Sequence, residues 1–229
     1  MKYILGLVVF SFLMVSCSKE EQYNFKLKGY VKGLKKGTVY LQKQQDSLII
    51  TLDSLEIKGD PNFELHTNLV EPEILTLKLD QNDNQENWVS FFADSGVTEV
   101  KSNTKLFNFN AKVKGSKQQE VLEEYLSTLL KLNNRNLDLL ESNFNSNSNT
   151  SFGEQQQKSL KQKYTYTIQF ALNHSDSEVS PYLAVYEIPN TTVRYLDTIY
   201  NTLTPPIKES KYGKLLKETI DLRKAEEQN

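Results

Sequence analysis

The sequence is poor in the residues that carry most redox and metal chemistry. It has one cysteine, Cys17, and two histidines, His66 and His174, among 229 residues. A single cysteine excludes an intramolecular disulfide, a CxxC redox pair and a cysteine-rich zinc site. We expect no metal site and no cofactor.

An excess of basic charge is also missing. The chain carries 27 Lys and Arg against 29 Asp and Glu, a formal net charge of -2. Without a basic field, nucleic acid is not an expected partner. The composition, 38% hydrophobic and 24% charged, is typical of a globular chain with a real core.

The one long apolar run lies at the start of the chain. Lys2 precedes residues 3–15, which read YILGLVVFSFLMV. A short apolar run after a basic residue is typical of a secretory signal and is too short to span a bilayer comfortably. We predict a signal peptide over residues 1–16. A buried N-terminal strand or helix is the alternative, and the charged residues that halt the run disfavour it.

The residues around Cys17 resemble a bacterial lipobox. Ser16 is the small residue before the cysteine, and Met14 stands at the aliphatic position, where Leu is more usual. The resemblance implies a diacylglyceryl group on the Cys17 thiol, cleavage before Cys17 and acylation of the new amine. Residues 17–22 would then be a lipidated tether, and the protein would be anchored in the outer membrane.

The residues that follow Cys17 resemble a second signal. Ser18, Lys19, Glu20 and Glu21 are similar to the export signal that sends lipoproteins of Bacteroidetes-type bacteria to the outer face of the outer membrane. A solvated charged tether is the alternative. Exposure at the cell surface and a periplasm-facing position both stay open.

Residues 23–115 show the period of β-strands. Apolar and polar residues alternate over residues 23–31, and a Lys-rich turn between Gly33 and Gly37 leads to a return strand over residues 38–43. This pattern predicts a hairpin. Further strands are predicted over residues 48–57, interrupted at Asp53-Ser54, and over 63–67, 73–79, 88–93, 97–101 and 107–113. Together they predict an antiparallel β-sandwich or partial barrel.

Residues 116–229 show the period of helices, which makes the fold class α+β. We predict helices over residues 119–141, 154–173, 180–187, 193–203 and 208–227. Asn133 to Asn136 interrupt the apolar stripe of the first helix, where a kink or break is expected. Ser180 is predicted to cap the third helix, with Pro181 at its first position.

Several segments resemble the N-terminal β-rich domain of unknown function that many Bacteroidetes lipoproteins carry ahead of a thioredoxin-like or peroxiredoxin domain. The segments are FKLKG at 25–29, GTVYL at 37–41, DS at 53–54, FEL at 63–65, FFADSG at 91–96 and VKGS at 113–116. In the helical part, SPY at 180–182 and SKYGK at 210–214 resemble the linker region of the same proteins. In that family an oxidoreductase domain follows the last helix, whereas this sequence ends at Asn229. We therefore do not carry thiol chemistry over, because a thiolate is required and Cys17 is assigned to lipid.

Three further motifs have a functional and an ordinary interpretation. Residues 80–86 resemble a calcium loop but lack its turn glycine and its last carboxylate, which favours a solvated loop. His174-Ser175-Asp176 contains the residue types of a catalytic triad, although a helix-ending turn is the simpler interpretation. Ser47, Ser54 and Thr198 each follow Asp and precede an aliphatic residue, as at O-glycosylation sites of exported Bacteroidetes proteins; turn formation is the alternative.

These observations predict a non-enzymatic, lipid-anchored outer-membrane lipoprotein that binds an unknown protein or small ligand. The alternative is an accessory partner that acts in trans on a thioredoxin-like oxidoreductase. A hydrolase that uses His174 or paired carboxylates is a third hypothesis.

Overall fold

The computed structural model describes residues 22–45, 47–81, 87–145 and 152–227. Strands occupy the first half of the chain and helices the second, so the predicted α+β class is confirmed. The strands are β1 (Phe25–Lys32), β2 (Lys36–Gln45), β3 (Leu48–Lys58), β4 (Asn62–Thr67), β5 (Glu73–Asp80), β6 (Asn87–Ala93), β7 (Gly96–Asn103) and β8 (Lys112–Lys114). The helices are α1 (Lys117–Asn145), α2 (Phe152–Asn173), α3 (Val179–Tyr186), α4 (Val193–Thr202), α5 (Pro205–Glu209) and α6 (Lys211–Glu226).

The strands form two four-stranded sheets rather than a closed barrel. Sheet A has the order β4-β1-β7-β8, and sheet B has the order β3-β2-β5-β6. Alternate residues of each sheet enter a shared core, which includes Phe25, Leu27, Leu41, Leu77 and Phe91. The sandwich prediction is confirmed, because burying one face of each sheet is what period-two alternation requires.

The predicted hairpin between the first two strands is wrong. β1 pairs with β4 in antiparallel orientation and with β7 in parallel orientation, whereas β2 pairs with β3 and β5. The Lys-rich turn therefore crosses from one sheet to the other, with Leu34 buried beneath it. The parallel pair is also a departure from the predicted antiparallel arrangement.

Strand β3 continues through the predicted interruption. Leu41 faces Asp53 and Gln42 faces Thr51, so Leu52 is an extra residue in a β-bulge. Asp53 accepts hydrogen bonds from the backbone N–H groups of Ser54 and His66. Asp53 and Ser54 therefore lie in a bulged strand and not in a turn. The hydrogen bond from the His66 N–H to Asp53 links β3 to β4.

Four other predicted boundaries are corrected. Residues 107–110 form a turn, and only Lys112–Lys114 of that segment is a strand. Helix α1 is continuous through its asparagines. Helix α3 begins at Val179, because the Ser180 hydroxyl donates to the Ala171 carbonyl instead of capping the helix. The last predicted helix is two, divided at Ser210, which caps α6 by accepting from the Gly213 N–H.

The helical region packs on the outer face of sheet B. Ile74 and Phe92 are paired on that face, and the rings of Tyr182 and Tyr212 lie edge-on to Phe92 with centroids 5.5 Å away. The Ile74 N–H donates to the Tyr212 hydroxyl at 2.9 Å. A second core, which includes Leu196, Ile199 and Leu216, lies among the helices. None of the helices in the described ranges is both long and apolar enough to cross a membrane.

The sandwich has two ends that are used below. The proximal end is where the chain enters β1; it contains residues 22–24, the turn between β2 and β3, and loops 68–72 and 94–95. The distal end is where β1 finishes; it contains loops 33–35, 59–61 and 104–111 and the start of β6.

Candidate interaction surface

The distal end exposes large apolar side chains on a tightly held loop. In loop 104–111, Leu106 is 67% exposed and Phe109 is 86% exposed. Between them, Phe107 is fully buried in the sandwich core. The loop is therefore anchored by one aromatic ring and presents its neighbours to solvent.

Leu106 has a backbone conformation that leucine rarely adopts. Its φ is 59°, in the left-handed region, which costs a non-glycine residue roughly 1–2 kcal/mol. Hydrogen bonds on both sides hold it there. The Ser102 hydroxyl donates to the Phe107 carbonyl at 2.6 Å, and the Asn110 N–H donates to the Leu106 carbonyl at 3.0 Å.

Trp88 on strand β6 lies beside the same loop. Its backbone N–H donates to the Asn108 side-chain oxygen at 3.1 Å, and its own side chain is 47% exposed. Trp88 faces outward from sheet B, opposite Lys78 of β5. We call Trp88, Leu106 and Phe109 the distal patch.

An open cleft of about 700 Å³ lies at the distal end as well. Lys35, Lys36 and Lys58 line it together with Glu56, so lysines outnumber carboxylates in the lining. The Lys58 ammonium lies 2.8 Å from the Glu56 carboxylate, which raises the pKa of Lys58. The Gly59 N–H donates to the Lys35 carbonyl, and this bond joins loops 33–35 and 59–61 at the cleft. This lysine cleft suits a partner that carries carboxylates or another anion.

The sandwich and the first turns of α1 have a counterpart among known families. Residues 25–122 match DUF4369, a family described as a domain of unknown function. The match spans β1 to β8 and ends at Leu122 in α1. The predicted resemblance to a β-rich domain of unknown function is confirmed for this segment. No curated protein matches the chain.

The predicted lipidation and export residues precede the DUF4369 segment. Cys17, Ser18, Lys19, Glu20 and Glu21 lie outside the described residues. The lipid anchor and the export signal stay predictions.

The predicted glycosylation residues are all exposed, but they differ in local structure. Ser47 lies in the turn between β2 and β3, and Ser54 lies within β3. Thr198 lies on α4, where its hydroxyl donates to the Arg194 carbonyl at 2.8 Å. Ser47 fits turn formation equally well, whereas Ser54 and Thr198 do not lie in turns.

Both histidine side chains are held in packing contacts. His66 lies on the outer face of β4 and stacks on Tyr23 with ring centroids 5.5 Å apart. His174 lies in the turn that follows α2, stacks on Phe170 at 3.9 Å, and its Nδ1 is 2.9 Å from the Phe170 carbonyl. The helix-ending interpretation of residues 174–176 is confirmed.

The segment compared with a calcium loop is described only in part, because residues 82–86 lie outside the described ranges. Among the residues that are described, no group of three His, Cys, Asp or Glu could hold a metal ion.

One buried carboxyl was missed by the sequence analysis. Glu178 precedes α3, is 5% exposed, and its Oε2 lies 2.6 Å from the Ser210 hydroxyl. Burial raises the pKa of Glu178 to about 7, the Ser210 hydrogen bond opposes that rise, and the charges of Glu71 and Asp94 add to it. Nothing in the sequence signals this, because Ser210 is distant along the chain.

Several hydrogen bonds meet at Ser210. Its hydroxyl is shared between the Ile207 carbonyl, 2.7 Å away, and the Glu178 carboxyl, and its oxygen accepts from the Gly213 N–H. Glu178 thus joins α3 to the junction of α5 and α6.

Proposed function

We propose that this protein is a lipid-anchored outer-membrane lipoprotein that serves as a non-catalytic binding module for another protein. The observation that carries the proposal is the distal patch, in which Trp88, Leu106 and Phe109 are exposed together at one end of the sandwich. The engagement of both histidines in packing contacts agrees with a non-catalytic role.

The distal patch has the composition of a protein-binding hot spot. Tryptophan and other aromatic residues are enriched at the centres of protein interfaces, where they bury a large area at a small cost in side-chain entropy. The strained Leu106 adds to the argument, because residues held in unfavourable backbone conformations cluster at functional sites. The patch is therefore presented in a fixed shape before a partner arrives.

The lysine cleft indicates the charge of the partner. Lys35 and Lys36 lie at the same end of the sandwich as the distal patch. Charges at the rim of an interface increase the association rate of a partner with the opposite charge. We expect the partner to carry carboxylates next to an apolar contact surface.

Photocrosslinking in the native membrane tests the binding surface. A crosslinking amino acid at position 109 should give a discrete adduct with one partner, and Trp88→Ala should reduce its yield several-fold. The matched control is position 222, because Leu222 is 67% exposed like Leu106 but lies on α6 in the helical region and not in the sandwich. Equal adducts from positions 109 and 222 would contradict the proposal.

The membrane anchor is supported by the lipobox-like residues at 13–17 and tested by metabolic labelling. A palmitate analogue should label the wild type and leave Cys17→Ala unlabelled. Equal labelling of both would exclude Cys17 as the anchor. Protease treatment of intact cells then distinguishes the two sides, since digestion indicates the cell surface and protection a periplasm-facing position.

A second candidate function is that of an accessory partner, in trans, of a thioredoxin-like oxidoreductase. What favours it is the sequence resemblance to domains that precede such oxidoreductases in longer lipoproteins, and the DUF4369 match covers the same β-rich segment. The adduct formed from position 109 should then contain a thioredoxin-like protein. An adduct with a protein of another class would exclude this candidate and leave the first proposal standing.

A further inference from the structure

At the proximal end, side-chain hydrogen bonds join the segment that enters β1 to loop 68–72. The Asn24 amide donates to the Leu69 carbonyl at 2.7 Å, and its oxygen accepts from the Leu69 N–H at 2.8 Å. The Asn24 N–H donates to the Asn68 side chain at 3.0 Å. Loop 68–72 therefore lies directly beside the point where the chain enters β1.

This end exposes aliphatic side chains. Val70 is fully exposed in loop 68–72, and Leu48 and Ile49 are 69% and 72% exposed at the start of β3. β2 pairs with β5 only as far as Gln42, so the tip of the β2–β3 hairpin has separated from β5. Leu48 and Ile49 point to opposite faces of this ribbon, and neither face is covered.

One of the acidic residues at this end is charge-balanced by lysines. Glu73 is bridged by the ammonium groups of Lys43 and Lys211, whereas Glu71 accepts from the Lys211 backbone N–H and Asp94 from the Ser95 N–H. The pairing of Glu73 lowers the negative charge that this apolar surface would bring to a bilayer.

The short chain between Cys17 and β1 limits how far this surface can lie from a bilayer in which Cys17 is anchored. Five peptide steps separate Cys17 from Gln22, the first described residue, and a fully extended chain of that length spans at most about 20 Å. A lipid on Cys17 therefore keeps the proximal end beside the bilayer. The distal end, at the other end of strand β1, is held away from it.

We propose that the proximal end is a membrane-contacting surface. Leu48, Ile49 and Val70 enter the boundary between headgroups and acyl chains, and Tyr23 lies at headgroup level, where tyrosine is favoured. This inference rests on the lipid anchor of the proposed function. It adds that the sandwich is oriented on the membrane, with its distal patch facing outward.

Depth-dependent quenching tests the contact in the mature lipidated protein, reconstituted in phosphatidylcholine vesicles. Cys17 is the only cysteine, so in the acylated protein an introduced cysteine is the only thiol available for a fluorescent label. Labels on Ile49→Cys and Val70→Cys should be quenched several-fold by brominated acyl chains and little by aqueous iodide. Labels on Leu106→Cys and Leu222→Cys, the matched exposed controls, should show the reverse.

The possible results distinguish a failure of the membrane contact from a failure of the lipid anchor. Detergent-phase partitioning and the mass of the acylated peptide report the anchor independently. If the protein is acylated but positions 49 and 70 are quenched by iodide, the membrane contact is wrong and the anchor stands. If both positions are shielded from iodide and from brominated lipid, a second copy or another protein covers the surface, and the inference is overturned.

Ile49→Ser combined with Leu48→Ser supplies a second measurement. The double variant of the acylated protein should raise the iodide quenching of a label on Val70→Cys by roughly threefold or more, because the end of the sandwich loses apolar contact with the lipid. Leu222→Ser should leave that quenching unchanged. An unchanged value in both variants would contradict a shared membrane-contacting surface.

Discussion

The two ends of the sandwich expose different kinds of apolar residue. The proximal end exposes the aliphatic side chains of Leu48, Ile49 and Val70, and it is joined to the start of the chain through Asn24. The distal end exposes Trp88 on β6 and Phe109 on a loop anchored by Phe107, and the lysine cleft lies at the same end of the sandwich. Aliphatic chains suit a lipid phase, which has no fixed shape, whereas rigid aromatic rings suit a protein surface that does. One small domain can thus present two contact surfaces with different chemistry.

The largest expected loss of stability comes from a substitution in the core beneath the distal end. Phe107→Ala removes a fully buried ring from the core, and we expect it to lower the free energy of unfolding by about 3–5 kcal/mol. Urea unfolding of a chain of residues 17–229 that carries Cys17→Ser measures it. Phe109→Ala is the matched control, because Phe109 is exposed and its loss should change stability by less than about 0.5 kcal/mol. Similar losses in the two variants would mean that the loop is not anchored by Phe107.

A smaller effect is expected at the proximal end. Asn24→Ala removes two hydrogen bonds between its side chain and the Leu69 backbone, which should cost about 2 kcal/mol by the same measurement. Asn110→Ala at the distal end is the control; its exposed amide donates to the Lys105 carbonyl, so the cost should be under about 1 kcal/mol. If Asn24→Ala costs no more than the control, the Asn24 side chain does not hold loop 68–72 against the segment that enters β1.

The smallest expected effect is on the pH dependence of stability. It arises from Glu178, which joins α3 to the junction of α5 and α6. The pKa of Glu178 is raised by burial to about 7, so the folded state binds this proton more tightly than the unfolded chain. Its contribution to stability is complete below the ordinary pKa of a glutamate and is lost as the pH rises through 7. Glu178→Gln keeps the hydrogen-bonding shape without the titration. At pH 8 the variant should be more stable than the wild type by roughly 1–2 kcal/mol.

Unfolding at pH 4.5 supplies the control for Glu178, since both side chains are then neutral in the folded state and the difference should shrink towards zero. Because Glu178 lies far from the distal patch in the fold, the crosslinking yield from position 109 should be the same in both proteins. A stability difference that does not change with pH would contradict a raised pKa for Glu178 in the folded state.

The strands could be predicted from the sequence, but their partners could not. Alternation at Phe25, Leu27 and Val31 indicates which side of β1 faces the core, and the burial of these residues confirms it. The same alternation is satisfied whether β1 lies beside β2 or beside β7. The choice depends on the path of the loop at Leu34, which enters the core and carries the chain to the other sheet.

The distal patch was hidden for a similar reason. Phe107 and Phe109 alternate with polar residues and predict a strand, and Leu106 gives no sign of its left-handed conformation because glycine is the residue usually found there. The Lys-rich turn was visible in the sequence, but the cleft also requires Lys58 from a strand pairing that local pattern does not determine. Long-range neighbours decide both features.

The parallel pairing of β1 with β7 also sets the order in which the chain can assemble. β1 is the first strand to be synthesised, yet Phe25 must wait for Thr67 on one side and Gly96 on the other. β2 and β3 are joined by a tight turn and can form at once. Sheet B can therefore begin to grow while β1 still has both edges unsatisfied, and such a strand is open to misassociation with other chains. A chaperone that shields β1 until β7 is available would protect the chain while β1 is unpaired.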